Sequence, residues 1–365
     1  MCAHASTPAD LRRDEPRSNL RAYGWRDDLH PQPWPEGLEP GRVLAWSRGL
    51  ALVFLASGET WCSPSGRFRD RMDLEGLQPC AGDWLWVEPG SPRGRIHDLV
   101  PRATWLARQA AGPSGRAQPL AAHVDRVFLA MGLDRDFNPA RLERLLALAW
   151  GSGAQPVVLL TKADLVEDPL PYVSRLEGVA PGVPIHPLSV PRGWGLEVVR
   201  AHLGEGVTAV LLGSSGVGKS TVLNALLGTE ARRTQSVRAS DGRGRHTTSL
   251  RELFLLPEGG CLIDTPGLRE VGLLAEASDL DRVFSDLEGF ARDCRFRDCA
   301  HGDEPGCAVQ AALAEGALDP ARYAAFLRLR REVAFEAARS DERLWREREQ
   351  RWKGIARLQR QYRKG

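Results

Sequence analysis

Residues Gly213-Ser-Ser-Gly-Val-Gly-Lys219-Ser220 fit the pattern GxxxxGKS, and few stretches of eight residues restrict a fold so tightly. Glycines in such a loop let successive backbone N–H groups turn inward on a chain of phosphates. The lysine reaches the β- and γ-phosphates, and the hydroxyl residue ligates Mg²⁺. The flanks answer the alternative of a chance match in a glycine-rich turn. Val207 to Leu212 reads as a buried parallel strand and Thr221 to Leu227 as an amphipathic helix stopped at Gly228. Strand, loop and helix in that order require a parallel α/β sheet. The candidate phosphate contacts are Gly213, Ser214, Ser215, Gly216, Val217, Gly218, Lys219, Ser220 and Thr221, with Ser220 also a magnesium ligand.

Two further motifs flank this loop, one on each side. Downstream, Cys261-Leu-Ile-Asp264-Thr-Pro-Gly267 is a short apolar strand ending in an acid and a turn. Asp264 is placed to hold Mg²⁺ through water, and the Gly267 N–H to meet a γ-phosphate. Alone, Asp-Thr-Pro-Gly is ordinary turn chemistry; following Lys219 by about forty-five residues, it gains meaning. Upstream, Pro156-Val-Val-Leu-Leu-Thr161-Lys162-Ala-Asp164 is a buried strand delivering a Thr-Lys-x-Asp turn, similar to the guanine-reading Asn-Lys-x-Asp. Asp164 accepts from guanine N1 and the 2-amino group, a pairing that adenine cannot make, while Lys162 lays its stem along the base. Ile185 to Val190 is a second apolar segment able to bring the backbone near Ser189 to the base edge. Thr161 supplies one hydroxyl where the usual Asn has an amide, which is expected to weaken guanine selectivity.

Base motif, phosphate loop and magnesium turn therefore come one after another in a circularly permuted order. In this the chain resembles the RsgA (YjeQ) family, small-subunit-dependent GTPases that act late in assembly of the small ribosomal subunit. The resemblance covers about residues 20–365. Between loop and magnesium turn lies a polar, Gly- and Arg-rich stretch from Arg232 to Ser249, expected to be a switch. The resemblance implies Thr248, rather than Thr247, as the magnesium ligand and γ-phosphate sensor. Ser249 stands where the family often has a third Thr. Residue 268 is Leu, so the water-positioning Gln of Ras-like enzymes is absent. His246 is the local candidate to orient the attacking water, as the resemblance also implies.

Cys294, Cys299, His301 and Cys307 lie within fourteen residues and suit a tetrahedral Zn²⁺. Four protein ligands leave no open position, so such a metal is structural. Disulfides compete, but seven cysteines is an odd number, and no secretory signal is evident. The resemblance implies a matching zinc module, and Cys2, Cys62, Cys80 and Cys261 are expected to be plain thiols.

From residue 41 to about 110, six short β-prone runs alternate with Gly and Pro: Arg42–Trp46, Leu50–Leu55, Glu59–Cys62, Asp83–Val87, Gly94–Leu99 and Thr104–Leu106. Five or six strands at this spacing indicate a small barrel, of OB or SH3 type. The resemblance favours OB. Arg67, Arg69, Arg71, Arg93, Arg95 and Arg102 are expected in or beside loops, where they either contact RNA or are simply solvated.

Net charge is only +2, which argues neither for nor against nucleic acid, but its distribution is uneven. From Ala321 onward 14 Arg/Lys face 6 Asp/Glu, so this tail is near +8 and the remainder near −6. Asp319 and Pro320 read as the start of a helix with an apolar stripe of Tyr323, Phe326, Leu327 and Val333. Beyond Ser340 a second, basic helix is either a solvated surface or a clamp on ribosomal RNA phosphates. The first twenty or so residues are expected to be disordered, and Tyr23-Gly-Trp25 to begin an ordered segment docked on the barrel. No apolar run reaches the ~20 residues of a membrane span, so a cytoplasmic protein without membrane contact is expected. No feature asks for a dimer.

The expected fold is multidomain α/β. Residues 1–38 form a partly disordered extension, 39–112 an OB-type RNA-binding barrel, 113–288 a circularly permuted P-loop GTPase domain, and 289–365 a zinc module with a basic helical tail. The expected partners are GTP/GDP, the small ribosomal subunit and its rRNA, with Zn²⁺ and Mg²⁺ as metals. Two alternatives stand beside this: an RNA-binding nucleotide switch without useful turnover, and a P-loop ATPase with another partner.

Overall fold

The computed structural model of the chain describes residues 18–30, 33–47, 49–109, 117–228, 251–265, 280–281, 283–302 and 304–334. A short helix α1 (18–22) leads in. Five strands and one helix then build the barrel: β1 (Glu39–Ser47), β2 (Leu50–Leu55), β3 (Gly58–Pro64), α2 (Gly66–Glu75), β4 (Trp84–Glu88) and β5 (Gly94–Leu99). β1 pairs antiparallel with both β2 and β4, β2 with β3, and β4 with β5, while β3 and β5 run parallel. The ring therefore closes as a five-stranded Greek key with a helix between its third and fourth strands, which is the OB topology. Val43, Val53, Leu55, Cys62, Phe68, Leu85, Val87 and Ile96 fill it. A Cβ at Gly41 would lie 2.4 Å from Val53 Cγ1, so only glycine lets β1 curl this tightly over the core.

The sixth β-prone run falls outside the barrel. β6 (Trp105–Gln109) forms a hairpin with β7 (Ala117–Ala122). Three of the arginines expected near loops, Arg67, Arg69 and Arg71, stand on α2 instead. Ser65 caps that helix by accepting from the Phe68 N–H, and Gly76 closes it in the left-handed region. Its single buried residue, Phe68, gave no apolar stripe to read.

The second half of the fold alternates strand and helix: β8 (Arg126–Gly132), α3 (Pro139–Gly151), β9 (Gln155–Thr161), α4 (Leu170–Glu177), β10 (Ile185–Pro187), α5 (Leu196–Ala201), β11 (Thr208–Leu212), α6 (219–228), β12 (Glu252–Leu255) and β13 (Cys261–Asp264). The sheet order is β10-β9-β8-β11-β13-β12, parallel except for β12. Both faces are covered, as a parallel sheet requires. Val127, Leu129 and Met131 of β8 join one core with α3, and Phe128 joins the other with α5 and α6.

Barrel and sheet share hydrogen bonds, because Ala45 of β1 pairs with Glu252 of β12. Tyr23 stacks on Phe54, and Trp25 meets Trp84 edge-on, so the Tyr23–Trp25 segment docks on the barrel. After β13 come α7 (Ser285–Ala291), α8 (Ala308–Ala314) and α9 (320–334). The Ala321 N–H donates to the Asp319 carboxylate at the start of α9. Phe326, Leu329 and Val333 of α9 are buried in the same core as α3 and Phe284. The basic segment beyond Ser340 lies outside the described residues.

Candidate functional site

Four neighbouring parallel strands, in the order β9, β8, β11, β13, bring their carboxyl ends to one edge of the sheet. In open α/β sheets ligands bind at that edge. β11 runs directly into the glycine-rich loop. Gly213 has φ 153°, and a Cβ there would lie 2.6 Å from the Ala130 carbonyl oxygen. Gly216 and Gly218 also take positive φ, Val217 is buried, and Ser215, Gly216, Ser220 and Thr221 face solvent. Lys219 is buried and curls over its own loop, its Nζ donating to the carbonyl oxygens of Gly213 (2.9 Å) and Ser214 (2.7 Å). Burial lowers its pKa, against the opposing pull of Asp264 and Asp136.

β13 places Asp264 opposite Leu211 of β11, beside the loop. The Thr265 hydroxyl fixes this join by donating to the Leu211 carbonyl at 2.6 Å. Burial raises the Asp264 pKa while the Lys219 charge opposes it, and Asp264 Oδ1 is buried without a hydrogen-bond partner among the described residues.

The base motif reaches the same place from β9. The buried Thr161 hydroxyl donates to the Val217 carbonyl at 2.6 Å, tying the Thr-Lys-x-Asp turn to the phosphate loop across fifty-six residues of sequence. Lys162 adopts φ 56°, and its Nζ meets Asp134 Oδ2 at 2.7 Å. Asp164 opens to solvent, with Oδ1 accepting from the buried Ser189 hydroxyl at 2.6 Å. That bond holds the Asp164 carboxyl below its usual pKa. Ser189 thus meets the base turn through its hydroxyl, while its backbone N–H and carbonyl both pair with Trp194. His246, Thr247, Thr248, Ser249 and Gly267 lie outside the described residues.

A second constellation sits apart from the sheet edge. The ligand atoms of Cys294, Cys299, His301 and Cys307 all lie within 4.8 Å of one another. Cys294 Sγ to Cys307 Sγ is 3.9 Å, and His301 Nδ1 is 3.6 Å and 3.8 Å from those two sulfurs. Metal–sulfur and metal–nitrogen bonds of the lengths zinc uses give tetrahedral edges of about 3.6–3.8 Å, so the four residues can hold a metal ion. Gln310 Nε2 donates at 2.6 Å to the His301 carbonyl; the Tyr323 hydroxyl donates to the same oxygen and ties α9 to the cluster. Cys62, Cys80 and Cys261 are free, buried thiols. Among the described residues, no helix is long and apolar enough to cross a membrane.

The family model described as RsgA GTPase matches residues 99–274. A Streptomyces coelicolor protein called small ribosomal subunit biogenesis GTPase RsgA is 46% identical over 339 residues, covering 89% of this chain and 90% of its own. The chain belongs to the RsgA GTPase family. It is accordingly a GTP hydrolase. A Methanosarcina acetivorans relative of the same name is 41% identical over 368 residues, spanning 100% of this chain and 99% of its own. Among solved structures, YjeQ from Thermotoga maritima matches with TM-score 0.60 at 27% identity, covering 81% of this chain and 99% of that one. YloQ, described as a circularly permuted GTPase, shares the fold with TM-score 0.60 at 24% identity, covering 85% and 98%.

Two carboxylates of this RsgA-family site escape a motif search. Asp134 and Asp136 lie in the turn after β8 and bond to Lys162 and Ser214 respectively. Their signal in the sequence is faint: a buried strand, Arg126 to Gly132, ending in two acids spaced by one residue.

Proposed function

We propose that this protein binds GTP with Mg²⁺ at the sheet edge and hydrolyses it when docked on the small ribosomal subunit, acting late in that subunit's assembly. The observation that carries the reading is the Thr161–Val217 bond, which closes base motif and phosphate loop into one cleft despite their reversed order in sequence. In it, Asp164 accepts from guanine N1 and the 2-amino group, Lys162 lies along the base, and Ser189 steadies Asp164. The loop from Gly213 to Thr221 wraps the phosphates, and Lys219 leaves its own carbonyls for the β- and γ-phosphates.

The residues present fit magnesium. The unpartnered buried oxygen of Asp264 beside Lys219 suits a water-mediated contact, and Ser220 opens on the first turn of α6. When bound, Mg²⁺ neutralises charge developing between the β- and γ-phosphates. Thr248 completes its ligands, Gly267 meets the γ-phosphate, and His246 orients the attacking water. With Leu at 268 instead of Gln, turnover is slow until the subunit orders the switch. The four-ligand cluster holds structural Zn²⁺, since three thiolates and an imidazole leave no open coordination position.

The names of the relatives support the small subunit as partner. On the barrel, Arg67, Arg69, Arg93 and Arg95 are exposed, as is Trp61, giving charge and a stacking surface for rRNA. Arg71 and Arg102 are engaged by Asp98 and Asp83 and are left out of that surface. GTP favours the docked form, and hydrolysis releases the protein.

The test is GTP and ATP hydrolysis by the purified protein with and without small subunits, with large subunits as control. Stimulation of GTP turnover by the small subunit alone is expected. Stimulation by the large subunit, of ATP turnover, or of neither would overturn the assignment.

A further inference from the structure

β8 is the strand that separates β9 from β11, so the turn at its carboxyl end stands between the base turn and the phosphate loop. This turn, from Gly132 to Asp136, braces itself. The Asp136 N–H donates to Asp134 Oδ1 at 2.9 Å, and the Gly132 N–H donates to Asp136 Oδ2 at 3.2 Å. Each acid then reaches outward to a different half of the cleft. Asp134 Oδ2 holds Lys162 Nζ at 2.7 Å, and Asp136 Oδ1 accepts from the Ser214 hydroxyl at 2.6 Å. Arg141, from the first turn of α3, pairs with Asp136 at 2.8 Å and fixes it from behind.

We propose that the turn from Gly132 to Asp136 is a two-armed brace of the nucleotide site: Asp134 positions Lys162 along the guanine base, and Asp136 positions the phosphate loop through Ser214. The inference rests on reading the cleft as a GTP site. Both acids are positioning residues, since each acts through another side chain. The chemistry requires something of this kind here. Lys162 sits in a left-handed turn with a flexible four-carbon stem, and an unheld ammonium would sample many rotamers; an ion pair at its tip lays the stem down. Ser214, at the mouth of the loop, is partly exposed and gains a fixed orientation from a charged acceptor.

The two arms act on different parts of the ligand, which makes them separable. Calorimetric titration of the full chain with GMP, GDP and GTP is the measurement. Wild-type GTP binding comes first, because its absence would bring down the GTP-site reading itself and not the brace. Given that binding, Asp134→Ala is expected to weaken all three nucleotides alike, about threefold, on the scale of a partly exposed ion pair. It should add nothing in a Lys162→Ala background. Asp136→Ala is expected to weaken GDP and GTP about tenfold, as for loss of a charged hydrogen bond, to leave GMP unchanged, and to add nothing to Ser214→Ala. Where an alanine variant fails to fold, Asp134→Asn and Asp136→Asn keep the volume and should show the same pattern at smaller amplitude. Unchanged affinities would overturn the brace. So would an Asp134→Ala effect that persists without Lys162, or an Asp136→Ala effect equal for GMP and GTP.

Discussion

At the scale of single residues, Thr161 is the informative departure from the guanine motif. Read as sequence, it loses an amide near the base; in the fold its hydroxyl points beneath the phosphate loop, 2.6 Å from the Val217 carbonyl. Thr161→Val keeps the shape and leaves that buried carbonyl without its donor, so stability should fall by about 1–3 kcal/mol. GTP affinity should fall with it while the preference for GTP over ATP stays unchanged; urea denaturation and calorimetry with both nucleotides check this. Ser189 gives a pH-dependent counterpart. Its hydroxyl holds the Asp164 carboxyl below the usual range; in the proposed role that anion reads guanine, so binding should be complete above that pKa and lost as pH falls through it. Ser189→Ala removes the stabilising bond and raises the Asp164 pKa, so the acid limb of a GTP-affinity profile should move to higher pH. Phosphate loop, Asp164, Asp264 and the Cys/His cluster were legible because each is a spacing of special residues fixed by chemistry. Asp134, Asp136 and the Ser189 hydroxyl were not, since a lone acid or serine in a loop becomes functional only through a partner the fold supplies.

Secondary-structure elements repeat that division. The strands carrying the motifs were legible as apolar runs, whereas α2 was not, because one buried Phe68 among charged residues leaves no helical stripe. Thr104–Leu106 has the same β-prone pattern as the barrel strands, and only its pairing with β7 places it outside. α9 was legible at its cap and stripe, but its anchor was hidden. Arg322, nearly enclosed, bonds Glu143 of α3 at 3.1 Å and Asp286 of α7 at 3.0 Å, with its guanidinium 4.3 Å over the Phe284 ring. Arg322→Met leaves Glu143 buried without that partner and should cost about 3–5 kcal/mol. Converting both, Arg322→Met with Glu143→Leu, should recover most of the loss. Chemical denaturation of the two variants beside the parent decides it, and an equal loss in both would put the cost on packing instead of charge.

For the whole molecule the join between barrel and nucleotide sheet matters most, and nothing in the sequence announced it. The register of β1 against β2 shifts between Val43 and Ala45, a bulge of the kind that re-aims a strand, and Ala45 then pairs with β12. Just before the bulge Arg42 is wholly buried, its Nη2 donating 3.0 Å to the Thr208 hydroxyl at the beginning of β11. Burial lowers the Arg42 pKa to about 10, and burial together with Arg42 holds His123 near 2, so His123 stays neutral. Among the described residues Nε and Nη1 of Arg42 have no hydrogen-bond partner, and the nearby acids Asp83 and Asp125 have Arg102 and Arg26. Arg42→Met should therefore melt no lower than the parent, since an apolar side chain of similar volume relieves two unsatisfied donors. Because barrel and sheet also share a strand pairing and one apolar core, the calorimetric transition should stay single. A drop in melting temperature would contradict the first part, and a split transition the second.

The shared strand also decides how the protein can be taken apart. Leu44, Trp84 and Trp86 on the barrel's outer side belong to the same continuous core as Val127 of β8 and Leu329 of α9. A fragment spanning residues 39–112 would carry that apolar face, with a bare Arg42 beside it, straight into water, the kind of patch that drives association. The chain has separate architectures but no clean line of excision, and a test of the proposed RNA surface has to keep the nucleotide half attached.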